Sequence, residues 1–159
     1  MIKIIIGLLI IIGLIVYTPS LYMQFSIWDA SNPSDDDSYI NSLLLKITPT
    51  ANPNEVKEAV GLKAGAIIVD VRTQQEYDEG HIPEAILIPE QTLYSEIPKK
   101  YPDTNRTIYL YCRTGHRGAV STRLLRSMGY DKAFNIADGL VGWKASGSKI
   151  DSLYSFPDQ

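Results

Sequence analysis

The chain has a single cysteine and two histidines in 159 residues. One cysteine cannot form an intrachain disulfide. Cysteine-rich zinc and iron–sulfur sites are excluded with it. Two histidines, His81 and His116, do not make a histidine-rich metal centre, and neither a metal nor a cofactor is expected. There is no excess of positive charge either. Fifteen basic side chains face 18 acidic ones, for a net charge of −3. Nothing here suits a nucleic-acid backbone. The length leaves room for one domain plus something small, since domains run to roughly 100–200 residues. The ten tyrosines scatter along the chain and mark no aromatic cage.

The first 28 residues stand apart. After Lys3 the next charge is Asp29, so positions 4–28 carry none. A bilayer-spanning helix needs roughly 20 mostly apolar residues. The most apolar part, residues 4–17, is shorter and closer to a signal-peptide core. Three readings stay open: a signal anchor extended to Trp28, a cleaved signal peptide, or a buried helix. The anchor is favoured, because Pro19 and the residues after it make a poor cleavage site. Tyr22 and Trp28 fit as interfacial aromatics. An apolar run on every face also leaves a buried helix no side to turn to water. Lys3 and the amino terminus should stay cytoplasmic, which puts the rest in a periplasm or outside. Residues 29–47 are expected to be a linker. Its Asp35, Asp36 and Asp37 read as a solvated run rather than a calcium site.

Residues 48–150 alternate helix and strand signals, with 151–159 as a tail. Asn52 and Pro53 open a helix to about residue 60. Strands are expected over 66–70, 85–88, 107–111 and 132–136. Thr73 and Glu76 form a capping box that opens a short helix ending near Gly80. Helices are also expected over 92–97, stopped by Pro98, over 118–128, with Gly129 as C-cap, and over 140–145. Such alternation predicts a mostly parallel, buried sheet covered on both faces.

The lone cysteine falls where chemistry is plausible. It follows a strand and opens Cys112-Arg113-Thr114-Gly115-His116-Arg117-Gly118, with a helix next. By residue type alone a single cysteine is usually a small buried hydrophobe. The flanking arginines, glycines and helix start argue instead for a nucleophile. In a tight strand-to-helix loop the backbone N–H groups converge, and the positive end of the helix faces the same point. A thiolate there should be stabilised and its pKa lowered. Arg113 and Arg117 add forked donors suited to an oxyanion. Asp70, Arg72, His81 and Trp143 read as structural. Arg72 pairing with Glu76 across a helical turn is one option, and Asp70 reaching toward the loop is another.

Three segments in order give a resemblance to the rhodanese family of sulfurtransferases. The first is Asp70-Val71-Arg72, Glu76-Tyr77, then 80–85 and Ile88-Pro89. The second is Cys112 to Arg117. The third is Asp138-Gly139, Gly142 and Trp143. Glu84 stands where the family commonly has glycine, and Asp138 replaces the first of a frequent glycine pair. The resemblance implies a five-stranded parallel α/β sheet with helices on both faces. It implies catalysis by Cys112, which takes a sulfur from thiosulfate or a persulfide and passes it to a thiol or cyanide. Arg113, Thr114, Gly115, His116, Arg117 and Gly118 would bind substrate. A monomer is expected. Phosphatases and arsenate reductases are disfavoured, since the similar phosphatase loop is one residue longer than the four between Cys112 and Arg117. A rhodanese-like module that only binds a partner or senses sulfide is the main alternative, and a periplasmic redox helper a third. An exposed reactive thiol facing an oxidising compartment would need protection from oxidation.

Overall fold

Asn52 accepts the N–H groups of Asn54 and Glu55 on its side-chain oxygen, while Glu55 reaches back to the Asn52 N–H. This reciprocal cap starts helix α1 (Pro53–Gly61). It also ends the two-residue strand β1 (Thr50–Ala51). The computed structural model describes residues 42–61 and 65–152. The elements that follow are β2 (Ile67–Asp70), α2 (Gln74–Glu79), β3 (Ile86–Leu87), α3 (Glu90–Lys100) and β4 (Ile108–Tyr111). Then come α4 (His116–Ser127), β5 (Ala133–Ile136) and α5 (Gly139–Ala145). The five strands are all parallel and lie in the order β1-β5-β4-β2-β3.

The central strand is apolar on both faces. Ile108, Leu110 and Tyr111 are fully buried, as are Val69 on β2 and Ile136 on β5. That is the pattern of a sheet with helices on each side. The expected parallel α/β architecture is therefore the observed one, and the element limits agree to within a residue or two, with few exceptions. Strand β1 had no signal, because two residues are too few for an alternating pattern. It is held by pairing with β5 at Thr50↔Asn135 and Ala51↔Ile136.

Helix α3 starts at Glu90, two residues early, and runs through Pro98 to Lys100. A proline in the last turn removes one backbone bond only, and the Tyr101 N–H still reaches Ile97 O at 2.8 Å. Helix α4 starts at His116 rather than 118, so His116, Arg117 and Gly118 form its first turn. Its far end behaves as expected. Gly129 is left-handed (φ 94°), and the Tyr130 and Gly129 N–H groups close on Leu125 O and Arg126 O.

Two expected boundaries move. Residues 42–47, assigned to the linker, are helical, and the Thr48 N–H bonds Leu44 O at 3.0 Å. Asp151, assigned to the tail, exchanges two 2.8 Å backbone bonds with His81 and so belongs to the domain. The expected segment 1–28 lies outside the described residues. Among the described residues, no helix is long and apolar enough to cross a membrane.

Glu84 has φ 63°, a left-handed conformation. That geometry costs a residue with a Cβ about 1–2 kcal/mol, while glycine's freer unfolded chain gives back about 0.4–1 kcal/mol. Glu84→Gly is therefore expected to stabilise the fold by about 0.5–1 kcal/mol. Urea denaturation of the two proteins checks this.

Candidate active site

Strand β4 ends at Tyr111, and helix α4 begins five residues later. Cys112 sits between them, at the carboxyl end of the central strand, where open α/β sheets bind ligands. Gly115 makes the turn possible. It is left-handed (φ 93°) and caps α4, accepting the Ala119 N–H on its carbonyl at 2.8 Å. Its own N–H donates to Cys112 Sγ at 3.2 Å. The sulfur thus lies at the amino end of a 12-residue helix. The expectation was of several converging amides. Among the described residues, only this one reaches the sulfur.

The loop is clamped from behind. Gly118 packs so closely on the sheet that a Cβ there would strike the Asn135 side chain and press on the Tyr111 backbone. A Cβ on Gly139 would collide with the Cys112 carbonyl. That closeness brings the Leu140 N–H to Cys112 O (2.8 Å) and the Val141 N–H to Arg113 O (3.1 Å). Asp138 serves as N-cap of α5 in the left-handed region (φ 53°), where the resemblance suggested glycine.

Cys112 is 2% exposed. The exposed thiol expected from the sequence is therefore a buried one. Arg113, Thr114 and His116 are exposed around it, with Thr114 Oγ1 and His116 Nδ1 at 3.2 Å. Arg117 is half-buried. Its fork holds Glu76, with Nη1 to Oε2 at 3.1 Å and Nη2 to Oε1 at 2.7 Å. Glu76 is thus taken by Arg117, not by Arg72. The pair bridges α4 to α2, where Glu76 also closes the capping box on Thr73. The Arg117 pKa is raised, chiefly by its hydrogen bonds to Glu76, with Cys112 and Glu90 as further acidic groups near it.

Arg72 pairs instead with Asp70. Nε and Nη2 lie 2.9 and 2.7 Å from the two carboxylate oxygens, and Nη2 also donates to Gly80 O at 2.7 Å. Both residues are buried, as is Tyr111, whose ring lies under the guanidinium. Burial, then the Asp70 charge, pushes the Tyr111 phenol far above its usual range. Its oxygen accepts the Ile82 N–H. This cluster braces the strand end that presents Cys112. His81 bonds Tyr77 O through Nδ1 at 2.9 Å and stacks on the Tyr77 ring. Trp143 is buried and donates to Lys149 O. Arg72, His81 and Trp143 each bond a backbone carbonyl, and Asp70 holds Arg72 in place.

Sequence reasoning did not single out Glu76, Glu90 or Gly139 for the site. Glu76 carried a visible signal as the third residue of a capping box, but its partner lies 41 residues away. Glu90 opens α3 as a buried carboxyl facing Arg117. Burial raises its pKa, and the arginine partly opposes this.

The comparisons with known proteins bear on family and fold. The family model described as a rhodanese-like domain matches residues 52–146. A sulfurtransferase of Allochromatium vinosum is 33% identical over 87 residues, 53% of this chain and 77% of that protein. The thiosulfate sulfurtransferase PspE of Escherichia coli is 35% identical over 72 residues, 45% of this chain and 68% of that protein. The human single-domain sulfurtransferase TSTD1 superposes with a TM-score of 0.55 at 29% identity, over 61% of this chain and 96% of that one. Other relatives are longer, and the match spans half of their length or less.

The Glu76–Arg117 pair sets a pH dependence. The Arg117 hydrogen bonds hold the Glu76 carboxyl down from 4.5 to about 2. A depressed folded-state pKa contributes stability above the unfolded value. The contribution is lost as pH falls from about 4.5 through about 2. Glu76→Gln is expected to be less stable at pH 7, by about 1 kcal/mol after solvent screening of a partly exposed pair. It should also lose less stability than wild type between pH 5 and pH 2. Urea titrations across that range measure both.

Proposed function

Since the chain belongs to the rhodanese-like domain family, with sulfurtransferases among its relatives, we propose that Cys112 carries sulfane sulfur between a small anionic donor and a thiol acceptor. The Gly115 N–H bond to Cys112 Sγ, at the amino end of α4, carries this reading. A donor amide and the positive helix end stabilise a charge on sulfur, both as thiolate and as persulfide. In the first half-reaction the Cys112 thiolate attacks the outer sulfur of thiosulfate. The sulfur–sulfur bond to the sulfonate breaks, and sulfite leaves with the electron pair. In the second, an acceptor thiolate or cyanide takes the outer sulfur and the Cys112 thiolate leaves. No oxidant or reductant is consumed.

The two arginines divide the work. Arg117 is engaged with Glu76 and supplies a fixed positive field beside the sulfur. Arg113 is exposed and has no acidic partner among the described residues. It is free to meet the sulfonate. The burial of Cys112 supports a thiol that is shielded until a small donor enters. This eases the conflict with an outward, oxidising location. The uncharged run 4–28 supports a membrane-tethered or exported protein with the domain facing outward. Intact mass of the protein from membranes tests whether that run is retained.

Wild-type protein incubated with thiosulfate should gain the mass of one sulfur atom, and Cys112→Ser should not. Cyanide-dependent thiocyanate formation should vanish in the same variant. Failure of wild type to take up sulfur from any sulfane donor overturns the proposal. Arg113→Ala should raise KM for thiosulfate about tenfold, the worth of one charge-assisted hydrogen bond, and change kcat less.

A further inference from the structure

A cavity of about 470 Å³ opens beside the Cys112 loop. Its wall is tied to the loop, because Leu140 and Val141 line it while their N–H groups hold the Cys112 and Arg113 carbonyls. Leu140 and the half-exposed Val141 give it an apolar side. Apart from Gly80, the rest of the lining is charged. Two of those charges are already spent: Arg72 on Asp70 and Glu76 on Arg117. Arg113 and Lys144 also line it, and among the described residues neither has an acidic partner. Glu79, at the Gly80 end, takes a hydrogen bond from Gln75 and remains able to meet an ammonium. So the cavity offers two unspent cations next to a short apolar surface.

We propose that this cavity selects the acceptor, and that the acceptor is a small thiol bearing a carboxylate. The inference rests on the reading of Cys112 as the sulfur carrier. The carboxylate meets Arg113 and Lys144, and the carbon chain lies on Leu140 and Val141. The acceptor's thiolate attacks the outer persulfide sulfur. A new sulfur–sulfur bond forms to the acceptor, the bond to Cys112 Sγ breaks, and the Cys112 thiolate leaves with the electron pair. Lys144 is a specificity residue in this scheme. It has no part in the chemistry itself.

The test separates the two half-reactions. Protein is charged with thiosulfate, freed of excess donor, and its persulfide confirmed by mass. Discharge is then timed with 3-mercaptopropionate, 2-mercaptoethanol and cysteamine at equal thiolate concentration, since the thiolate is the nucleophile. Wild type should favour 3-mercaptopropionate over the neutral thiol, and high salt should erase the preference. Lys144→Ala should cut that preference by about three- to fivefold, the upper part of the range for an exposed charge contact, and Lys144→Glu should invert it toward cysteamine. Equal discharge by all three thiols, or the same preference in both variants, overturns the inference. So does a Lys144→Glu protein that keeps the preference but charges slowly from thiosulfate, which would make the cavity a donor site. Failure of wild type to form the persulfide sinks the sulfur-carrier reading instead, so the two failures are distinguishable.

Discussion

The Cys112 loop keeps its shape because backbone approaches backbone where a side chain would not fit. Gly118 lets α4 settle against Tyr111 and Asn135, and Gly139 lets the start of α5 reach the Cys112 carbonyl. With the Cys112 and Arg113 carbonyls bound to α5, the loop cannot flatten, and Gly115 turns its N–H onto the sulfur. A methyl group at either glycine would have to push apart packed backbone, and close-packed interiors accommodate that poorly. Both the cradle and the cavity beside it follow from these two contacts.

Charge is arranged around the sulfur in two layers. Asp70 and Arg72 form a fully buried pair under the strand end, with Tyr111 between them and the Ile82 amide. A buried pair gives little net stability over apolar packing, but losing one partner costs about 3–5 kcal/mol. The pair therefore acts mainly as a fixed brace. Arg117 and Glu76 form the outer layer, less buried, and tie α4 to α2 across the mouth of the site. With Arg117 engaged, Arg113 is the exposed arginine of the loop that has no acidic partner among the described residues. On the proposed reading, this separates a permanent field from a contact left for a substrate.

Much of the site was legible in the chain. The order strand, cysteine, two arginines, two glycines and helix located the nucleophile candidate without any tertiary information. Local signals also survived intact, namely the capping box at Thr73, the Gly129 helix end and the apolar strands. What failed had a physical cause in each case. Strand β1 is two residues long and exists only because β5 lies beside it. Helix α3 continues past Pro98 because the lost bond falls in its final turn. Arg72 and Glu76 were candidates for each other by spacing, yet each has a better partner. Asp70 lies two residues from Arg72 on the same buried strand end, and Arg117 arrives beside Glu76 from 41 residues away.

From the sequence alone come the fold class, the family and the identity of the nucleophile candidate. These depend on periodicity, turn chemistry and residue type, which are local properties of a chain. The burial of Cys112, the engagement of Arg117 by Glu76, and the cavity that joins Arg113 to Lys144 were settled only by the fold. Each depends on how far apart residues from different elements end up. No spacing along the chain records that distance, because it is set by the packing of helices on the sheet.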